Sequence, residues 1–173
     1  MGSRSKLCMR KTDLDKLPPF ALPEGFGLHT HMEGNEKNWE RLIGRAFDFP
    51  FTFQEAMINI GDYSPDHILY ISKDGVDIAT ATAIEFHLFP GEGLFHMIAT
   101  DPDARGQGAG RLACEAALHK IAERGFRSAV LRTEDERIPA IKLYLSLGFV
   151  PFYTDDTHEE RWNKIYRQIG VTR

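Results

Sequence analysis

The feature that most constrains this chain is a glycine-rich segment at residues 104–112, A-R-G-Q-G-A-G-R-L, which stands directly before a helical pattern. Glycine costs about 1 kcal/mol relative to alanine inside a helix, so three glycines within five positions need a reason. A segment that leaves a strand and enters a helix directs its free N–H groups and the positive end of the helix dipole to one point. Bare glycine backbone lets an anion come within hydrogen-bond reach. The segment therefore predicts a diphosphate-binding loop.

Two common phosphate-binding patterns do not match. The Walker pattern G-x-x-x-x-G-K-[ST] fails because Gly106 is followed at the required distance by Arg111 and Leu112, which disfavours an ATP or GTP hydrolase. The dinucleotide pattern G-x-G-x-x-G fails because the glycines stand at 106, 108 and 110. NAD binding is kept as a weaker alternative.

The chain before the loop has the pattern of an antiparallel half. Two helices are predicted, one over residues 35–47 and a short one after Thr52, whose T-F-Q-E sequence forms a capping box. Four strands are predicted from hydrophobic patterning and turn residues, over residues 26–31, 67–72, 76–88 and 94–100.

After the loop, helices and strands alternate. Helices are predicted over 111–124 and 139–147, strands over 129–133 and 150–153, and a last helix around Trp162 that begins with the capping box T-H-E-E at 157–160. Strands 94–100 and 129–133, joined by a helix, should be parallel neighbours. The predicted fold class is α/β, with a mixed, mostly antiparallel central sheet flanked by helices.

Length and composition indicate one globular domain. The chain has 173 residues, of which 42% are hydrophobic and 27% are charged, values typical of soluble globular proteins. Residues 1–24 contain Pro18, Pro19 and Pro23 with little periodicity, so we expect an irregular N-terminal arm followed by a single domain over 25–173.

Charge, cysteine content and hydropathy exclude several classes. A net charge of −4 disfavours a nucleic-acid binder. No apolar run approaches the roughly 20 residues that span a bilayer, and the start lacks the apolar core of a signal peptide. Two cysteines and seven histidines without ligand spacing argue against a disulfide framework and a metal site. We expect a cytoplasmic protein without a metal.

Two separated motifs resemble the GNAT superfamily of acyl-CoA-dependent N-acyltransferases. Arg105-x-x-Gly108-x-Gly110 is similar to the family signature R/Q-x-x-G-x-G/A, and A-I-K-L-Y-L-S-L-G-F at 140–149 resembles its A-x-x-L-Y-x-x-x-G-F segment. The resemblance covers residues 26–153. It implies the GNAT fold, with acetyl-CoA or coenzyme A as co-substrate.

The resemblance also implies roles for particular residues. The loop amides would bind the pyrophosphate, Arg111 would add a phosphate contact, and the strand before the loop would splay from its parallel neighbour so that its backbone pairs with the pantetheine arm. Arg137 stands where many relatives have an Asn that holds this arm, so it would meet the arm differently or contact a phosphate or an acidic substrate group. The residues implied for coenzyme A are Ile98, Ala99, Thr100, Arg105, Gly106, Gln107, Gly108, Ala109, Gly110, Arg111 and Arg137.

Catalysis needs an acid, a base and an oxyanion donor. The family's tyrosine falls on Tyr144, whose phenol, with a pKa of about 10, can protonate the departing thiolate. A substrate amine must first lose a proton, and His96, expected on the same strand face as Ile98, is the first candidate base, with Glu85 and His87 as alternatives. A backbone N–H near Ile98 would serve the oxyanion.

These inferences predict transfer of an acetyl group from acetyl-CoA to a primary amine by direct attack in a ternary complex. The acceptor is expected to be a small molecule. A protein or peptide N-acetyltransferase, which would need an open groove, and a catalytically silent CoA-binding domain, suggested by Arg137, are the alternatives. Where the family often ends in a strand this chain has a helical pattern, whose apolar face around Trp162 belongs to the core or to a homodimer interface.

Overall fold

The computed structural model describes residues 5–171 and contains one seven-stranded sheet in the order β2-β3-β4-β5-β6-β1-β7. All neighbouring strands are antiparallel except β5 and β6. The predicted fold class is confirmed. The strands are β1 Leu7–Lys11, β2 Phe26–Thr30, β3 Ile68–Lys73, β4 Val76–Glu85, β5 Gly93–Thr100, β6 Ala129–Thr133 and β7 Val150–Phe152, and the helices are α1 Glu36–Phe47, α2 Phe53–Ala56, α3 Ala109–Glu123, α4 Ile138–Ser146 and α5 His158–Ile169.

The prediction of an irregular arm over residues 1–24 is wrong at Leu7–Lys11, which forms β1 inside the sheet. This strand pairs with β6 on one side and with β7 on the other, and the Leu7 and Met9 side chains are fully buried. The strand is only five residues long and its two partners lie more than a hundred residues away, so local periodicity gave no signal for it. Residues 17–23 are irregular as predicted, and residues 1–4 lie outside the described part of the chain.

Of the two predicted capping boxes, one is confirmed and one is wrong. Thr52 accepts the Glu55 N–H at 3.3 Å and donates its hydroxyl to the Glu55 carboxylate at 2.8 Å, which begins α2. Thr157, before α5, makes no such bond because its own backbone is already helical. Instead, the Asp155 carboxylate accepts a hydrogen bond from the Thr157 N–H at 2.8 Å.

The helices cover both faces of the sheet. The larger hydrophobic cluster joins α3, α4 and α5 to one face, and a smaller cluster packs α1 and α2 on the other. Small residues on α3, among them Ala113 and Ala117, are fully buried and let this helix approach the strands closely. We refer to the two sides as the α3 face and the α1 face.

The parallel pairing of β5 with β6 is short, as the resemblance implies. Its register runs only from Gly93↔Ala129 to Phe95↔Leu131, and beyond Phe95 the two strands separate. Within β5, Met97 has a left-handed φ of +48°, and the register with β4 shifts between Thr80 and Thr82. This β-bulge lies where β5 leaves its parallel neighbour, so it redirects the side chains at the opening.

Candidate active site

The glycine loop, residues 104–110, connects the end of β5 to α3 through conformations that require glycine. Gly106 and Gly108 have φ of +78° and +86°, and a Cβ at either position would meet nothing within 4 Å, so conformation rather than space demands glycine there. At Gly110 space decides, because a Cβ would lie 2.8 Å from Thr100 Oγ1. The start of α3 is therefore held against the last residue of β5.

The loop exposes backbone donors at the N-terminus of α3. The first intrahelical bond of α3 runs from the Leu112 N–H to the Gly108 carbonyl at 3.1 Å. The N–H groups of Ala109, Gly110 and Arg111 precede it and have no acceptor within the helix. Together with the dipole of a 15-residue helix, these donors suit an anion. The Arg111 guanidinium lies beside them, bonded to the Ser146 hydroxyl at 2.6 Å.

A buried aspartate fixes where the loop begins. Asp101 accepts hydrogen bonds from Arg41 and Arg45 of α1, both at 3.1 Å, and from the Asp103 N–H at 3.0 Å. Arg45 also donates to the Asp103 carboxylate at 2.6 Å. The loop is thus tied to α1 as well as to β5, which sequence reasoning missed because the partners are about 60 residues apart.

The separation of β5 from β6 opens a cavity of about 570 Å³, which we call the splay cavity. Residues 94–98 of β5 and 131–133 of β6 line it, together with side chains from both faces of the sheet. Its wall on the α1 face is aromatic, formed by Phe47, Phe49, Phe51 and Phe86. The cavity therefore connects the α3 face with the α1 face at the point where an extended ligand could replace the missing strand pairing.

Tyr144 lines the cavity from the α3 face, where it packs with Leu131 and Phe149. Its side chain is 8% exposed, and burial raises the pKa of its phenol well above the usual value. The phenol therefore stays protonated throughout the physiological pH range. Within residues 5–171 no group hydrogen-bonds the Tyr144 hydroxyl, so its proton is available to a ligand.

His96 lines the cavity from the opposite, α1 face. Its Nε2 lies 2.8 Å from the Ala56 carbonyl of α2, whereas Ile98 packs into the cluster on the α3 face. The expectation that His96 and Ile98 share a face is wrong, because the bulge at Met97 inserts a residue between them and breaks the alternation. The structure thus places the candidate acid and the candidate base on opposite sides of one cavity.

The surroundings of His96 favour the neutral ring. Burial lowers the pKa of the imidazole by more than the hydrogen bond to the Ala56 carbonyl raises it, and the nearby positive charges of Lys6 and Arg132 lower it further. A neutral ring that donates from Nε2 to the Ala56 carbonyl leaves Nδ1 as a proton acceptor. This is the protonation state that a general base requires near neutral pH.

The two alternative bases lie elsewhere. β4 ends at Glu85, three residues earlier than the predicted strand, and the exposed Glu85 carboxylate accepts the Gly91 N–H at 3.2 Å. His87 is exposed, with its ring 4.2 Å from that of Phe86. Neither Glu85 nor His87 lines the splay cavity.

Arg137 lies at the N-terminus of α4, at the edge of the cavity. Its Nε donates to the Glu134 carboxylate at 2.8 Å, and its guanidinium carbon lies 4.0 Å from the centre of the Phe47 ring. Lys6 pairs with the same carboxylate at 3.0 Å. Burial raises the pKa of Glu134, but the contact with Lys6 outweighs burial and holds this pKa below its usual range. Arg137 thus bridges α4 and the end of α1, and its contact with a phosphate stays a prediction.

Several cavity residues were missed by sequence reasoning. The aromatic wall had a local signal, the run F-D-F-P-F at residues 47–51 between two helices. Lys6 had none, because it reaches the cavity only through the pairing of β1 with β6. Thr133, at the end of β6, had no local sequence signal either.

The fold and the cavity define a class of protein, a domain in which an anion-binding helix N-terminus adjoins two parting parallel strands. A family comparison agrees, because the acetyltransferase (GNAT) family matches residues 35–149. The chain belongs to the GNAT acetyltransferase family, which confirms the resemblance. In the described residues no helix is long and apolar enough to cross a membrane.

Curated relatives include two mycothiol acetyltransferases. That of Thermomonospora curvata is 30% identical over 165 residues, covering 88% of this chain and 54% of the relative, and that of Rhodococcus jostii is 39% identical over 171 residues, covering 90% and 56%. This chain therefore spans about half the length of the curated relatives it matches.

Solved structures show the same fold. A GCN5-related N-acetyltransferase from Sphaerobacter thermophilus matches with a TM-score of 0.68 at 22% identity, over 86% of this chain and 50% of the other. The ribosomal-protein-S18-alanine N-acetyltransferase from Escherichia coli matches with a TM-score of 0.63 at 25% identity, over 74% and 79%.

Proposed function

We propose that this chain is an acetyl-CoA-dependent N-acetyltransferase that acts on the primary amine of a small molecule by direct attack in a ternary complex. One observation carries the proposal: β5 runs from the splay cavity directly into the glycine loop, so a single extended ligand can lie along both. Acetyl-CoA has that form, with a diphosphate, an extended amide-bearing arm and a terminal thioester.

Both the glycine loop and the unpaired edge of β5 fit acetyl-CoA as the donor. The N–H groups of residues 109–111 and the left-handed glycines suit the diphosphate, with Arg105 and Arg111 beside it. The backbone of Ile98, Ala99 and Thr100 has no strand partner on the β6 side, so the arm would complete the pairing there.

The reacting groups are then distributed across the sheet. Bound acetyl-CoA would supply a thioester carbonyl for attack by an amine. His96 Nδ1 would accept the amine proton on the α1 face, directly or through a water, and Tyr144 would give its proton to the leaving sulfur on the α3 face. An N–H at the bulge, near Ile98, would stabilise charge on the carbonyl oxygen.

The cavity supports a small acceptor. Its volume of about 570 Å³ is in the range of small-molecule sites, and Phe47, Phe49 and Phe51 line its α1 side. The mycothiol acetyltransferases point to the same class of acceptor. The match to the alanine N-acetyltransferase keeps a peptide N-terminus as the second candidate.

The test combines binding and turnover. Calorimetric titration with acetyl-CoA, CoA and NAD decides whether the loop serves the predicted donor, and we expect binding of both CoA species only. Thiol release is then measured with small amines, the substrate of mycothiol acetyltransferases and an alanine-initiated peptide. Faster turnover of the peptide would replace the small-molecule proposal, and binding without turnover of any amine would favour the catalytically silent domain.

A further inference from the structure

A buried hydroxyl at the edge of the splay cavity has no hydrogen-bond partner. Thr133 is 2% exposed, and its Oγ1 neither donates to nor accepts from any described group. Buried polar side chains in folded proteins are almost always paired, so such an atom calls for a specific explanation. A ligand that enters beside it would provide one.

The position of Thr133 distinguishes it from the other unpaired buried atoms in residues 5–171. Those are His31 Nε2, Trp39 Nε1, Thr82 Oγ1 and Trp162 Nε1, and none of their residues lines the splay cavity. Thr133 does line it, at the last position of β6, where β5 has already separated from this strand.

The pleat of β6 decides which side of the cavity Thr133 faces. Leu131 and Thr133 are two residues apart in one strand, so their side chains point to the same face of the sheet. Leu131 packs in the cluster that contains α3 and Tyr144. Thr133 therefore shares the α3 face with the candidate acid, on the side along which the donor's arm would approach.

We infer that the Thr133 hydroxyl is a binding residue for the acyl-CoA donor, forming a hydrogen bond with an amide group of the pantetheine arm between the separated strands. A hydroxyl can donate to an amide carbonyl or accept from an amide N–H, and β6 offers this side chain where strand pairing ends. The inference rests on the proposed function and deepens it, since it assigns a side chain to the donor site.

Thr133→Val tests this, because valine keeps the shape and removes the hydroxyl. We expect affinity for acetyl-CoA and for CoA to fall equally, by about two- to tenfold, as for loss of one hydrogen bond. Thr133→Ser keeps the hydroxyl and should stay within about twofold of the native affinity. The unfolding temperature of ligand-free Thr133→Val should not fall, since the lost hydroxyl is unpaired.

Thr82→Val is the matched control, because Thr82 is also buried with an unpaired hydroxyl but does not line the cavity. Its affinity for both CoA species should be unchanged. If Thr133→Val does not fold, Thr133→Ala removes the same group and should weaken binding likewise.

The outcomes distinguish a failure of the Thr133 inference from a failure of the proposed function. If the native protein binds acetyl-CoA and CoA but Thr133→Val binds them equally well, the inference is overturned and the proposed function stands. A loss confined to acetyl-CoA overturns the assignment to an arm amide, since CoA has the same amides. If the native protein binds neither, the proposed function fails and the inference fails with it.

Discussion

At the scale of single residues, the candidate chemistry depends on two side chains whose pKa values are shifted by burial. Burial keeps the Tyr144 phenol protonated and the His96 imidazole neutral, so each is in the state that its proposed role needs. A phenol is protonated at neutral pH even without burial, whereas the neutral imidazole does not follow from residue type alone, and desolvation acts in opposite directions on the pKa of an acid and of a base.

The acid assignment predicts the effect of Tyr144→Phe. This substitution removes only the hydroxyl, so acetyl-CoA affinity should stay near the native value while kcat falls by about 100-fold or more. Calorimetry and thiol release measure the two quantities separately. Tyr153→Phe, which lies outside the splay cavity, is the control. Unchanged turnover in Tyr144→Phe would remove the acid assignment.

The base assignment predicts a pH profile. His96 must be neutral to accept a proton, and its pKa is lowered from the ordinary 6.5, so kcat/KM should fall with decreasing pH only below about 6.5. In His96→Gln this fall of kcat/KM at low pH should disappear, and kcat/KM should be about 100-fold lower overall. If the fall of kcat/KM at low pH persists in His96→Gln, another group is responsible for it.

At the scale of elements, the proposed diphosphate site lies at the start of α3 and not at its other end, which allows a matched pair of variants. Gly108 and Gly125 have φ of +86° and +90°, and a Cβ at either position would meet open space. A glutamate at either position costs about 1 to 2 kcal/mol in backbone strain and adds the same charge. Only Gly108 lies at the proposed diphosphate site.

Gly108→Glu should therefore abolish detectable acetyl-CoA binding, because its carboxylate repels the diphosphate at the helix N-terminus. Gly125→Glu should lose similar stability but keep native affinity. Calorimetric titration and thermal unfolding of both variants make the comparison. Equal losses of affinity would show that strain, not position, is responsible, and would remove the loop from the donor site.

At the scale of the whole molecule, β1 joins the beginning of the chain to its last strands. It lies between β6 and β7, with Leu7 and Met9 fully buried in the core. Lys6, the residue before β1, reaches the cavity and pairs with Glu134. Residues 6–11 therefore contribute both to stability and to the edge of the candidate site.

This placement predicts that Met9→Ala destabilises the protein by about 2 to 5 kcal/mol, as for other fully buried large side chains. Lys16→Ala, at an exposed position shortly afterwards, should change stability by less than about 0.5 kcal/mol. Urea unfolding followed by circular dichroism measures both. Native stability in Met9→Ala would contradict the position of β1 inside the sheet.

A small-molecule acceptor and a homodimer stay predictions, as do the absence of a metal and the cytoplasmic location, whereas the boundary predicted between an arm over 1–24 and a domain over 25–173 is crossed by the pairing of β1 with β6 and β7. The presence of β1 in the sheet means that residues 7–11 belong structurally with the rest of the described chain.

The sequence by itself determined what depends on local chemistry. The glycine loop, the helix after it, the parallel pair around that helix and the family motif at Tyr144 could all be predicted, because backbone conformation and hydrophobic period are set by residues close in the chain. Only the tertiary structure decided the rest. The place of β1, the bulge that puts His96 and Ile98 on opposite faces and the cavity that leaves Thr133 unpaired all depend on how strands pair with one another. Such pairings are selected by the packing of the whole sheet, which no short stretch of sequence encodes.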